Sequence, residues 1–157
     1  MRLVTERADQ GAIRQLAEVL ERMGKAVQMD QADVFGELDL AFHRTIWQAS
    51  ANPLLVRIAE LVEGQIRLLV ATGARAPGRM PVAFAEHKRV FNAIAGQQTE
   101  DAQAAMLEHI KNSKDTLKRA MPTTLRSPAF AEAQGAPPKA TKLRSRRKPG
   151  GAPVASK

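Results

Sequence analysis

Residues 39–55 read "DLAFHRTIWQASANPLL", and this stretch decides how the whole chain is understood. Up to Ser50 its apolar residues recur at helical spacing. Asn52 and Pro53 then supply an N-cap oxygen and a first-turn proline, which mark the start of another helix. An acid and a histidine, Asp39 and His43, sit four residues apart inside the apolar stripe. A carboxylate facing a core is costly unless it is paired or holds a metal, so the stripe poses a chemical question as well as a structural one.

Working outward, the same periodicity recurs. Ile13, Leu16, Leu20 and Met23 follow an i, i+3, i+7, i+10 pattern behind Asp9, a suitable N-cap, which predicts a first helix over 9–27. The second, from about Asp30 to Ser50, carries Phe35, Leu38, Phe42 and Ile46. A third begins at Asn52, with Leu54, Leu55, Ile58, Leu61, Val62 and Leu69 forming a broad apolar face. The run "GARAPGRMP" at 73–81 predicts a loop. Beyond it, Phe84, His87, Phe91 and Ile94 share one face of a fourth helix that Gly96 ends. A fifth, over 99–120, has Glu100 and Asp101 in its first turn and Ala102, Ala105, Met106, His109 and Leu117 inward. No strand-like alternation appears. The expected fold is an all-α antiparallel helical bundle of about five helices.

Charge divides the chain in two. Eight of the 24 Lys and Arg residues but only one of the 16 acids lie from Pro122 onward, leaving 16 bases against 15 acids in residues 1–121. The pI near 10.4 therefore belongs to a tail rich in Pro, Ala, Gly, Lys and Arg, with almost nothing to bury. The domain reading is a bundle over 1–121 and a disordered basic tail over 122–157. Arg144, Arg146, Arg147 and Lys148 in "KLRSRRK" are candidates for weak, sequence-blind contacts with nucleic-acid phosphates, unless the tail is simply solvated. The absence of cysteine excludes disulfides, thiolate ligands and a cysteine nucleophile. With a charged N-terminus and no run near the roughly 18 apolar residues of a membrane span, a cytoplasmic protein with no membrane partner is expected.

The only three histidines, His43, His87 and His109, all fall on apolar faces, each on a different helix. One such residue is ordinarily a satisfied core histidine. Three together with Asp39 point to a shared partner. Positions i and i+4 are neighbours on a helix, so Asp39 and His43 can converge on one ion, and two imidazoles from facing helices complete an N3O set. That donor set suits Zn²⁺ first, with Ni²⁺, Mn²⁺ or Fe²⁺ as alternatives, over the oxygen-seeking Mg²⁺ and Ca²⁺.

The same residues carry a family resemblance. Asp39, Phe42 and His43, then Ala49, Ser50, Asn52 and Leu55, then Glu86 and His87, Ala93 and Ile94, and finally Ala102, His109 and Ile110 match the ordered pattern of one family. Over about residues 9–120 the chain resembles the FadR C-terminal (FCD) ligand-binding domain of GntR-family transcription regulators. The resemblance implies an effector-sensing bundle, a homodimer, and a divalent metal held by Asp39, His43, His87 and His109. A small carboxylate effector would reach that metal. It also places Arg67 where the family often has an arginine for an anionic effector, although an interhelical salt bridge is an equal reading. Trp47 extends the Asp39, His43 stripe by one turn and is a candidate pocket wall, with core or dimer packing as the alternative. The family's winged helix-turn-helix and first bundle helix have no counterpart in this stretch, so DNA contact is expected only through a module that this chain does not carry.

A metal-dependent hydrolase and a structural-metal interaction domain are the alternatives to a sensor. Hydrolysis needs an acid or base beside the metal that is not itself a ligand. Glu86 and Glu108 each neighbour a ligand in sequence, but one helical step turns a side chain by about 100°, so both are expected to point away. Because the basic charge is concentrated after residue 121, truncation after Met121 is expected to abolish whatever DNA affinity this chain shows. A salt titration checks it: sequence-selective binding that survives truncation would contradict the charge argument.

Overall fold

The structure, a computed structural model, describes residues 1–120; the proposed nucleic-acid contacts Arg144, Arg146, Arg147 and Lys148 lie outside the described residues. Seven helices and no strand make up the described residues: α1 (Arg2–Arg7), α2 (Gln10–Gln28), α3 (Ala32–Ala49), α4 (Pro53–Leu61), α5 (Glu63–Ala74), α6 (Arg79–Ala95) and α7 (Thr99–Ala120).

Local chemistry accounts for the helix ends. The Asp9 carboxylate accepts from the Ala12 amide at 2.7 Å and caps α2. Asn52 accepts from the Leu54 and Leu55 amides, with Pro53 in the first helical position of α4. On α2, Leu16, Leu20, Met23 and Ala26 form the buried stripe. It meets Phe35, Leu38, Phe42 and Ile46 of α3 and Met80, Ala83, Val90 and Ile94 of α6 in one core. Gly36 allows α3 to approach α5 closely, since a Cβ there would lie 3.3 Å from the Ala71 Cα.

Three features depart from the sequence reading. First, α1 precedes the expected first helix. Six residues cannot hold a helix alone; here Val4 is buried in the core and the Thr5 hydroxyl pairs with that of Thr99 at 2.6 Å. Second, the single helix expected from Asn52 is broken at Val62, whose φ of −105° and ψ of 5° end α4 before α5 begins. Its apolar face is largely not buried by the described bundle: Leu54, Leu61 and Leu68 are 67%, 81% and 68% exposed. Ala59 is the one buried residue of α4, because that helix lies at the margin of the packed helices. Third, the loop expected over 73–81 shrinks to the four residues between α5 and α6. Gly78 takes φ 70° there, and Pro81 fits the first turn of α6, where its missing N–H costs nothing.

Three helices end on a non-glycine residue in the left-handed region: Asp30, Ala51 and Gln97. Ala51, exposed and at φ 47°, has no side chain to compensate the steric cost. Replacing Ala51 with Gly is therefore expected to stabilise the fold by about 0.5–1 kcal/mol after the extra chain entropy of glycine is counted. The check is the urea midpoint, which should rise at unchanged slope.

Candidate metal centre

Three helices deliver the four candidate ligands. From α3 come Asp39 and His43, one turn apart; α6 contributes His87 and α7 His109. Asp39, His87 and His109 are buried, while His43 is partly exposed. One potential ligand atom from each lies within 4.8 Å of all the others. The imidazoles crowd together, with ring centroids 4.4 Å apart for His87 and His109 and 5.3 Å for His43 and His109. Phe42 presses edge-on against His87 at 4.7 Å and closes the core side of the cluster.

Hydrogen bonds set which nitrogen faces inward. His87 Nδ1 lies 2.7 Å from the Ala83 carbonyl, which can only accept, so Nδ1 carries a proton and Nε2 is the nitrogen that faces the cluster, bare in the Nδ1–H tautomer. His109 Nδ1 donates in the same way to the Glu86 carboxylate at 2.9 Å. Asp39 Oδ1 stands 3.4 Å from His87 Nε2 and 3.2 Å from His43 Nε2. Neither approach has hydrogen-bond geometry. Among the described residues, Asp39 Oδ1 and His87 Nε2 are the buried side-chain polar atoms without a hydrogen-bond partner. Two acceptors thus face each other across a gap that a cation would fill. Zinc holds nitrogen and oxygen ligands at about 2.0–2.2 Å, so two donors on one ion lie no more than about 4.4 Å apart. The observed spread needs only small side-chain adjustments to meet it.

Burial alone would push the Asp39 carboxyl up, but the imidazoles of His43 and His87 beside it outweigh burial and hold it below the usual carboxylate range, so the carboxylate is ionised whether or not a metal is bound. Burial lowers His109, against the opposing pull of Glu86, and so favours the neutral imidazole that a metal requires.

Glu86 turns away from the ligand atoms, as a one-residue step from His87 dictates, and its carboxylate is buried in the α6–α7 seam. Arg79 donates to both its oxygens at 2.9 and 2.6 Å, and Asn112 and His109 add further bonds. Burial works against the ionised form, yet His109, Arg79 and Asn112 hold its pKa at about 2. A carboxylate so fully engaged has no role as a general base. Glu108 is exposed and paired with Arg89 at 3.0 Å. The signal for Arg79 was present in the sequence: Arg79 and Glu86 are seven residues apart, two turns along one helix face.

A cavity of about 710 Å³ opens onto the cluster, with Asp39, His43 and His109 in its wall. Trp47 lines it too, its ring stacked 6.3 Å from that of His43. Arg67 does not. Ile66, Leu69, Val70 and Ala74 are the α5 residues that line the cavity, whereas Arg67, one step round the helix from Ile66, pairs with Glu37 on the exposed side. The interhelical salt bridge is the reading of Arg67 that the geometry matches. A second cavity, of about 860 Å³ between the α5–α6 turn and the end of α7, contains none of the four candidate ligands.

The FCD domain model matches residues 1–112. Over 113 residues the chain is 31% identical to an uncharacterized HTH-type transcriptional regulator, YcbG, of Bacillus subtilis, covering 66% of this chain and 45% of that protein. The galactonate operon transcriptional repressor of Escherichia coli is 28% identical over 118 residues, covering 74% of this chain and 51% of the repressor. The HTH-type transcriptional regulator LutR of Bacillus subtilis is 26% identical, covering 73% of this chain and 54% of LutR. The chain thus spans about half the length of the curated relatives it matches. Its helices, its ordered motif and these matches agree: the chain belongs to the FCD domain family, a regulatory rather than enzymatic domain found in the C-terminal part of GntR-family transcription regulators.

Proposed function

We propose that this bundle is an effector-sensing domain in which Asp39, His43, His87 and His109 together hold one divalent metal ion, Zn²⁺ in the first instance. The observation that supports it best is the pair of buried acceptors, Asp39 Oδ1 and His87 Nε2, 3.4 Å apart with no donor between them. A divalent ion in a shell of three neutral imidazoles and one carboxylate keeps a net positive charge, and so supplies an anchor for an anionic group. The ligand in this reading is a small organic acid that enters through the cavity and meets the ion by its carboxylate.

The protein's own residues do the rest. Ala83 and Glu86 set the tautomers of His87 and His109, and Phe42 keeps water from the core side. Because the four ligands come from α3, α6 and α7, a ligand drawn to that point biases the packing of three helices at once. In a complete regulator this shift would be felt by the DNA-binding module. The exposed row of Leu54, Ile58, Leu61 and Leu68 supports association with a second copy, as an apolar patch of that kind marks a protein contact. Residues 1–121 are the sensor in this reading, and the basic segment after them adds sequence-blind phosphate contacts at most.

Metal content of untagged protein and competition against a chromophoric chelator test the assignment. Replacing His87 with Ala is expected to weaken metal binding by more than the roughly 10–100-fold typical of losing an outer-sphere partner, and Glu86→Gln by about 10-fold. Stoichiometric metal at unchanged affinity in His87→Ala would overturn the ligand set. Short organic acids are expected to raise the melting temperature of metal-loaded protein only, by linkage of binding to folding. An equal shift in metal-free protein would remove the metal from the account of effector binding.

A further inference from the structure

The geometry points to an effector whose body is hydrocarbon, aliphatic or aromatic, rather than the polyhydroxylated chain of a sugar acid. This rests on the metal-anchored carboxylate reading above and concerns the part of the ligand beyond the carboxylate. At about 710 Å³ the cavity has far more room than a carboxylate needs, so its walls select the body.

Those walls are mostly apolar. Phe35, Ile46 and Trp47 of α3, Ile66 and Val70 of α5, and Met106 of α7 are among the residues that line it. A polyol body needs partners that both donate and accept, such as hydroxyl and amide side chains. Among the described residues, the lining contains no Asn, Gln, Thr or Tyr, and its one hydroxyl is that of Ser113. That oxygen already accepts from Arg79 at 2.9 Å, and Arg79 is in turn committed to Glu86. Apart from the candidate ligands, the remaining polar side chains of the wall are Trp47, with its indole N–H, and Lys114 and Lys118 on α7, Lys118 being paired with Asp115 at 3.7 Å. Each of the three can donate a hydrogen bond but none can accept one. A sugar acid would therefore give up water at several hydroxyls for few replacements, whereas a hydrocarbon chain gains by leaving water.

The test compares two acids of equal carbon count that share a 2-hydroxy-carboxylate head, 2-hydroxyhexanoate and gluconate, so that contact with the metal is the same and only the body differs. Calorimetric titration of the zinc-loaded full chain is expected to give 2-hydroxyhexanoate a Kd at least about tenfold lower than gluconate. Val70→Thr, which keeps the wall's shape and adds a hydroxyl, is expected to narrow that ratio several-fold. Gluconate binding as tightly as 2-hydroxyhexanoate, or more tightly, with both still requiring zinc, would overturn the apolar-body inference and leave the sensor reading intact. Neither acid binding the zinc-loaded protein would overturn both. Binding of 2-hydroxyhexanoate that is equally tight without zinc would instead overturn the metal-anchored reading on which the inference rests.

Discussion

Two hydrogen-bond acceptors buried face to face, with no donor between them, make up the interaction around which the rest of this bundle is arranged. Asp39 Oδ1 and His87 Nε2 sit 3.4 Å apart in the core, and the fold leaves neither with a partner. Desolvating such atoms without compensation is expensive, and the chain does not avoid the expense by placing a serine or an amide between them. It adds two more imidazoles instead. Four candidate donor atoms from three helices therefore lie within 4.8 Å of one another, and the proposed metal site rests on that convergence.

The surroundings are organised to keep that point in register. Arg79, Glu86, Asn112 and His109 form a buried network that ties α6 to α7. Its members satisfy one another, so the cost of burying charge is offset locally, and the network orients one of the imidazoles. On the other side the apolar core, through Phe42, fixes the second. The polar and apolar halves of the structure thus act on the same four atoms. In the proposed function, a ligand entering from the cavity would meet a site whose supports run along three different helices, the kind of arrangement through which a small molecule can alter the packing of a domain.

Much of this was legible in residues read one helix at a time. Leu16, Leu20 and Met23, or Phe35, Leu38, Phe42 and Ile46, announce their helices by spacing alone, and Asp9, Asn52 and Pro53 mark helix starts through local hydrogen bonding. Asp39 and His43 stood out because a polar pair on an apolar face needs a reason. What the periodicity could not convey was α1, whose six residues are helical only because Val4 and Thr5 find partners far away in sequence. The break at Val62 was equally hidden, since "RIAELVEGQIRLL" contains no proline and its one glycine follows the break rather than causing it. That the apolar face of α4 stays outward was likewise not legible, because hydrophobicity shows that a surface prefers to leave water, not whether another helix is present to cover it.

The sequence by itself determined the fold class, most of the helix boundaries, and the four residues that stand out as candidate ligands, because these depend on spacing within a single helix. Only the tertiary structure decided which side chains meet. It brought His87 and His109 to the Asp39 stripe, turned Arg67 outward to Glu37 and drew Glu86 into the seam behind His109. The reason is geometric: a one-residue step turns a side chain by about 100°, so the role of each residue depends on where the neighbouring helix axis lies, and that is set by the packing of the entire core.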